Sequence, residues 1–213
     1  MTGTRRSRQM PPPASVARRA PAQQRSRERL ERILSSASAL IAEKGCDRVK
    51  MSEVAELAEV SIGSLYQYFP DKQAVVRTLA ERYTAESRRC IDEALTGVHD
   101  LDGLLAAYAD LVDQYHALFL AEPVMRDIWS GMQADKQLVA LELAESKANG
   151  ALLAAAMRRV HPKSDPKAIA ASALLIWQLG EATMRLAIAH PRAEGARLVD
   201  AFKRMTLRAI AEP

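Results

Sequence analysis

Residues 60–72 read Val60-Ser61-Ile62-Gly63-Ser64-Leu65-Tyr66-Gln67-Tyr68-Phe69-Pro70-Asp71-Lys72. Leu65 and Phe69 stand four apart, so on a helix they share one face, and that face needs a partner. The segment before it supplies one, because a short helix expected over 51–58 carries Val54, Ala55, Leu57 and Ala58. Only Glu59-Val60-Ser61 separates the two. Short helices joined by such a turn form a helix-turn-helix, whose second helix enters a DNA major groove. Ser61 is suited to cap that helix, and Gly63 lets its first turn approach a surface closely. With Leu65 and Phe69 inward, Gly63, Ser64 and Gln67 point outward, Tyr66 lies on the flank and Ile62 falls near the inward side. A tyrosine can reach a phosphate with its hydroxyl or a thymine methyl with its ring. Asp71-Lys72 opens a further helix with a lysine at its N-terminus, a setting suited to a phosphate.

The helical period continues in both directions. Leu30, Ile33, Leu34, Ala37, Leu40 and Ile41 recur at i, i+3, i+4 and i+7, which predicts an amphipathic helix from Arg25 that Gly45 ends. Asp71 can cap a long helix over 72–95, and further helices are expected near 103–120, 123–131, 136–160, 166–189 and 194–211. Asp165-Pro166 is a start signal, a cap followed by proline in the first turn. No stretch alternates with period two between hairpin turns, so an all-α chain of nine helices is expected. It divides into a basic arm over 1–24, a three-helix domain over 25–71 and a six-helix domain over 72–213.

The stretch Val54-Ala55 together with Val60 to Lys72 resembles the DNA-binding signature of the TetR (tetracycline-repressor-like) regulators, I-A-x-x-A-G-V-S-x-G-x-L-Y-x-Y/H-F-x-x-K. The detailed likeness covers roughly residues 25–75. It implies that Ile62, Gly63, Ser64 and Tyr66 face bases, that Tyr68 and Lys72 hold phosphates, and that Leu65 and Phe69 are core. Ser61 and Gln67 belong to the same DNA-facing helix. Half-buried packing of the two tyrosines and an ordinary solvated Lys72 are the plainer alternatives. Three departures stand out. Glu59 occupies the usual glycine of the turn, at a cost of about 1–2 kcal/mol if its φ is positive. Lys50 replaces a capping threonine worth about 1 kcal/mol, although Lys50 or the nearby Ser52 could touch a phosphate. Cys46 replaces a common aromatic and reads as a small apolar residue.

Charge is spread unevenly along the 213 residues, which carry a net +4. Residues 1–27 hold seven arginines and no acid, leaving −3 for the remainder. The arm, rich in Arg, Pro, Ser and Ala, reads as flexible or polyproline-like. It suits a polyanion such as DNA or a solubilising tail. Cys46 and Cys90 are too few for a disulfide framework and fit a reducing cytoplasm. No secretory signal is readable, and the longest apolar run, 168–179, is interrupted by Ser172 and Gln178, so no membrane span is expected.

In the larger half, the resemblance implies ligand sensing and dimerisation, with the last two helices of two subunits forming a four-helix bundle. Ile169, Ala173, Ile176, Gly180, Met184 and Ile188 make a stripe suited either to that bundle or to packing within one subunit. Leu198, Val199, Phe202, Met205, Thr206 and Ile210 make another. Tyr108, Tyr115, His116, Phe119, Trp129, Met157, Trp177 and Glu181 combine apolar walls with a few polar groups, as in a small-molecule site, though an ordinary core has the same composition. Glu181 and Arg185, at i and i+4, can pair on the surface. The four histidines are scattered, and no P-loop, Rossmann glycine set, nucleophile elbow or metal-ligand spacing occurs. The expectation is therefore no enzyme, no cofactor and no metal. The chain reads as a regulator that binds a palindromic double-stranded DNA operator as a homodimer and answers to a small molecule. A helical ligand-binding module that does not bind DNA, or a DNA-bound activator or organiser, are the alternatives.

Overall fold

The computed structural model describes residues 14–122, 124, 125, 127, 128 and 136–213, with side chains from Gln23 onward. Among them eight helices follow one another without a strand: α1 (Ala14–Lys44), α2 (Met51–Leu57), α3 (Ile62–Tyr68), α4 (Lys72–Thr96), α5 (Leu101–Ala121), α6 (Lys136–Val160), α7 (Pro166–Ile188) and α8 (Arg192–Ala211). The ninth expected helix, near 123–131, lies largely outside the described residues, as does Trp129. Its Val124, Met125 and Ile128 are buried in the core.

The starts of the helices follow their caps. Asp71 Oδ1 accepts the Ala74 N–H at 2.6 Å, Asp100 Oδ1 the Gly103 N–H at 2.7 Å, and Asp165 Oδ1 the Lys167 N–H at 3.0 Å with Pro166 beginning α7. Most boundaries fall within two residues of the sequence reading; the large difference is that α1 begins at Ala14, within the segment expected to be irregular. Residues 14–20 have no apolar stripe for a periodicity argument to find. Their alanines and arginines are nevertheless strong helix formers, and propensity carries the helix there.

On α1 the buried apolar residues are Ile33, Leu34, Ala37, Leu40 and Ile41, five of the six expected from the spacing, with Leu30 half-buried and Ser36 buried beside them. α1 packs on α2 and α4, and α2 on α3. α4 continues onto α5 and α6, while α6, α7 and α8 pack in succession. One contiguous apolar cluster runs from Ile33 through Leu79 and Leu104 to Ile210.

The α7 stripe packs within the chain. Ile169, Ala173, Ile176 and Met184 are all buried against its own helices. A Cβ on Gly150 would stand 3.1 Å from Leu174 Cα, so α6 and α7 approach closely there. A Cβ on Gly180 would stand 3.4 Å from Phe202 Cζ, so its small size serves α7–α8 packing. The apolar side chains that face outward on this pair are Leu175, Leu179 and Leu186 of α7 and Met205 of α8, the last 68% exposed.

Candidate nucleic-acid interface and cavity

The helix-turn-helix is held by its backbone. At the end of α2 the Val60 N–H donates to Ala55 O at 3.0 Å and the Glu59 N–H to Glu56 O at 3.1 Å, the paired bonds of a Schellman turn. That turn requires a left-handed residue after the cap, and Glu59 supplies it with φ 53°. The turn therefore keeps the shape a glycine would give it, and glutamate bears the strain.

At the start of α2, Lys50 gives no side-chain cap. Glu53 compensates: its Oε2 accepts the Lys50 N–H at 3.0 Å and its Oε1 the Lys44 ammonium at 3.0 Å. The bond from Lys44 is the main reason the Glu53 carboxyl sits below its ordinary range. Lys50 and Ser52 themselves are exposed.

Ser61 caps α3, its hydroxyl accepting the Ser64 N–H at 3.2 Å. Leu65 and Phe69 are buried beneath the helix. Above it, Ile62 is 44% and Tyr66 50% exposed, and Gln67 is open to solvent. Ile62 thus projects past the core, as the resemblance implies and the helical wheel alone does not. A Cβ on Gly63 would meet nothing within 4 Å, so no contact with the described residues requires a glycine there. Among the described residues this apolar and polar face has no tertiary partner, and it is carried by a helix fixed from below.

Two residues expected on phosphates have partners within the chain. The Lys72 ammonium donates to the carbonyls of Cys46 and Asp47, both at 2.9 Å. Two of its three protons are thereby committed to the loop after α1. The Tyr68 hydroxyl lies 2.9 Å from Ser26 Oγ, tying α3 to α1. Half-buried Cys46 packs against the core, and burial pushes its thiol up.

In the larger half, α4, α5, α7 and α8 line a partly open cavity of about 460 Å3. Tyr108, Tyr115, Trp177 and Glu181 line it, four of the eight residues expected at a ligand site. Phe119 and Met157 instead belong to the sealed core, and His116 is half-buried away from the cavity wall. Phe119 meets Tyr115 edge-on, with ring centroids 4.9 Å apart. The reading from single residues missed the α4 wall, made by Tyr83, Glu86, Ser87, Cys90 and Ile91. The spacing of these positions is helical, but their mixed polarity hides the face from a search for apolar stripes.

Both oxygens of Glu181 lie 3.0 Å from the Tyr115 hydroxyl, which donates to them. Burial pushes its carboxyl up to about 7, against the opposing effect of that hydrogen bond. Arg185 pairs with Glu142 of α6 at 2.6 Å rather than with Glu181, because α6 lies beside this turn of α7. Tyr108 bonds Thr206, while burial raises its phenol. Among the described residues no three His, Cys, Asp or Glu side chains cluster as metal ligands, and no helix is long and apolar enough to cross a membrane.

α4 joins the two regions. Its first turn holds the loop after α1 through Lys72, and Arg82 makes a two-pronged pair with Glu31 of α1 at 2.5 and 2.7 Å. From Tyr83 onward the same helix forms the cavity wall.

A presented helix-turn-helix on an all-helical body that holds a partly open cavity defines the class of helix-turn-helix regulators with a ligand-sized chamber. Residues 102–213 match the tetracyclin repressor-like C-terminal domain, and residues 33–79 match the bacterial regulatory proteins of the tetR family. The chain belongs to the TetR family. It is 38% identical over 72 residues to the HTH-type transcriptional repressor KstR of Mycolicibacterium smegmatis, a match covering 33% of this chain and 35% of that one. The chain thus spans about a third of the length of the curated relatives it matches. Its fold is that of a TetR-family regulator from Mesorhizobium loti, with a TM-score of 0.65 at 19% identity over 87% of this chain and 98% of the other. SmeT in complex with triclosan superposes with a TM-score of 0.67 at 18% identity, over 85% and 91% of the two chains.

Proposed function

We propose that the protein is a cytoplasmic transcriptional repressor that binds a palindromic operator as a homodimer and is released by a small molecule held in the cavity. The presented face of α3 carries this reading, since Ile62, Gly63, Tyr66 and Gln67 are exposed together on a helix anchored by Leu65 and Phe69. Ser61 and Ser64 lie at the N-terminal end of α3, and Lys50 and Ser52 are exposed at the start of α2. Lys72 serves first as a tie between α4 and the loop after α1, with one proton left for a phosphate. Matched relatives named as repressors favour repression over activation.

Dimerisation falls to the outward leucines of α7, with Met205, rather than to the buried stripe beside them. A dimer places its two recognition helices in successive major grooves. Footprinting on genomic fragments tests the whole reading, and protection of an inverted repeat, lost in Tyr66→Ala, is the expected result. Equal affinity for random duplexes, or a monomer mass at every concentration in sedimentation, would overturn it.

A further inference from the structure

The charge on the cavity wall limits what the cavity can hold. Its described lining carries three carboxylates, Glu86 on α4, Glu122 just after α5 and Glu181 on α7, and no lysine, arginine or histidine. Most of the remaining wall is apolar or aromatic, including Tyr83, Trp177 and Phe202. Glu86 and Glu122 are exposed, and Glu86 is already paired with Arg89 at 2.6 Å, so Glu181, the desolvated member of the three, decides the charge of the interior wall. An anionic ligand would shed its hydration to meet like charge, with no described cation on the wall to receive it. A cation reverses both effects: it gives Glu181 a counter-charge and shares the cavity with aromatic side chains, whose rings attract positive charge. Arg185, on the helix of Glu181, is engaged by Glu142 at 2.6 Å.

We propose that the cavity takes an organic cation, an apolar body with a single positive charge seated among Tyr83, Trp177 and Phe202 and facing Glu181. The inference rests on reading this cavity as the effector site. Burial raises the Glu181 carboxyl to about 7, so the free protein carries a mixture of its protonated and ionised forms near neutrality. Cation binding selects the ionised form and expels the proton.

Tetraphenylphosphonium and tetraphenylborate share one shape and differ in the sign of their charge. Each is titrated by calorimetry into the full chain in sodium buffer, with the fluorescence of its two tryptophans, Trp129 and Trp177, as a second readout. The expected result at pH 8 is phosphonium binding at least about tenfold tighter than borate. Lowering the pH to 6 should weaken phosphonium binding about tenfold, because the Glu181 proton must then be displaced. Glu181→Gln should lose about tenfold in phosphonium affinity and most of that pH dependence. The other charged or titratable groups nearby are Tyr83, Glu86 and Cys90 on α4, Tyr108 and Tyr115 on α5, Glu122 just after it, Glu142 on α6 and Arg185 on α7. They remain in the variant, so the difference between the two proteins isolates Glu181.

Borate binding as tightly as phosphonium, binding of neither ion, or full phosphonium affinity in the variant would each overturn the proposal. The comparison of the two ions on the unmodified chain stands without any variant. A gel shift on the same samples separates the two levels. Phosphonium bound with operator affinity unchanged upholds the charge preference and removes the effector role.

Discussion

Replacing Glu59 by glycine should stabilise the protein by about 1 kcal/mol. Glu59 is exposed and stands at φ 53°, a conformation that brings its Cβ against the following carbonyl. For a residue with a Cβ that crowding costs about 1–2 kcal/mol. Glycine removes it but gains freedom in the unfolded chain, which returns about 0.4–1 kcal/mol. The Schellman bonds from Val60 and Glu59 are made by backbone atoms and survive the change. Denaturant unfolding at fixed protomer concentration should show a higher midpoint with an unchanged slope. For a chain of this size the melting temperature should rise by about 2–4 °C. Glu59→Ala is the control, because it removes the carboxylate and keeps the Cβ, and it should stay within about 0.5 kcal/mol of the parent. A glycine variant no more stable than the alanine variant would refute the strain account. If both gained equally, removal of the charge would be the cause.

Lys72→Met keeps the apolar stem and abolishes two charge-assisted bonds to the loop carbonyls, so a loss of about 1–3 kcal/mol is expected in thermal melts. Unchanged stability with a shallower salt dependence of DNA binding would make Lys72 a phosphate contact instead. Tyr66→Ala should behave oppositely, weakening specific binding by about 1–3 kcal/mol with little effect on melting, and a large fall in melting temperature would show that Tyr66 is structural. Gly195→Ala drives a Cβ into the Ala187 carbonyl where α7 hands over to α8, and circular dichroism melts should register about 1–3 kcal/mol of destabilisation. For Glu181, whose carboxyl rises from 4.5 to about 7 on folding, the folded chain holds a proton that the unfolded chain lacks between those values. Stability should therefore fall as pH rises through that window, by up to about 3 kcal/mol, and Glu181→Gln should abolish the fall. Glu31, whose carboxyl the Arg82 hydrogen bond holds low, acts in the opposite sense only below 4.5. Parallel pH profiles for the parent and Glu181→Gln would refute this.

The helix-turn-helix is legible because its signals are local. A hydroxyl cap at Ser61, an i, i+4 apolar pair at Leu65 and Phe69, and an aspartate cap at 71 act within four residues, and the structure contains each of them, as it does the Asp165 cap farther along the chain. The start of α1 is not legible in the same way, because it rests on propensity without a stripe. Ile62 shows the limit of a wheel drawn from sequence: in a first turn the core ends below the residue, so an inward angle still leads to solvent.

The larger half is less legible because its helices have more than one neighbour. An apolar stripe such as Ile169-Ala173-Ile176 states that a face is buried and not which helix buries it. Only the packed arrangement gives that face to α6 and α8 and leaves Leu175, Leu179 and Leu186 outside. Partners distant in sequence have the same effect on Glu181: its neighbour in the sequence, Arg185, goes to Glu142, and the group it meets is Tyr115, 66 positions away.

The proposed coupling follows from α4. A ligand alters operator affinity only to the extent that it binds one of two conformations better than the other. α4 is the element placed to carry such a difference, since Tyr83 to Ile91 line the cavity while Lys72 and Arg82 fix the same helix to the loop after α1 and to Glu31. Arg88 adds a pair with Glu145 of α6, so the cavity segment of α4 is also tied to the body. A ligand that moves the cavity segment must carry the Arg82 end with it or break one of these pairs. Arg82→Gln should therefore leave cavity binding intact and weaken its effect on the operator. Undiminished release in that variant would place the coupling in another element.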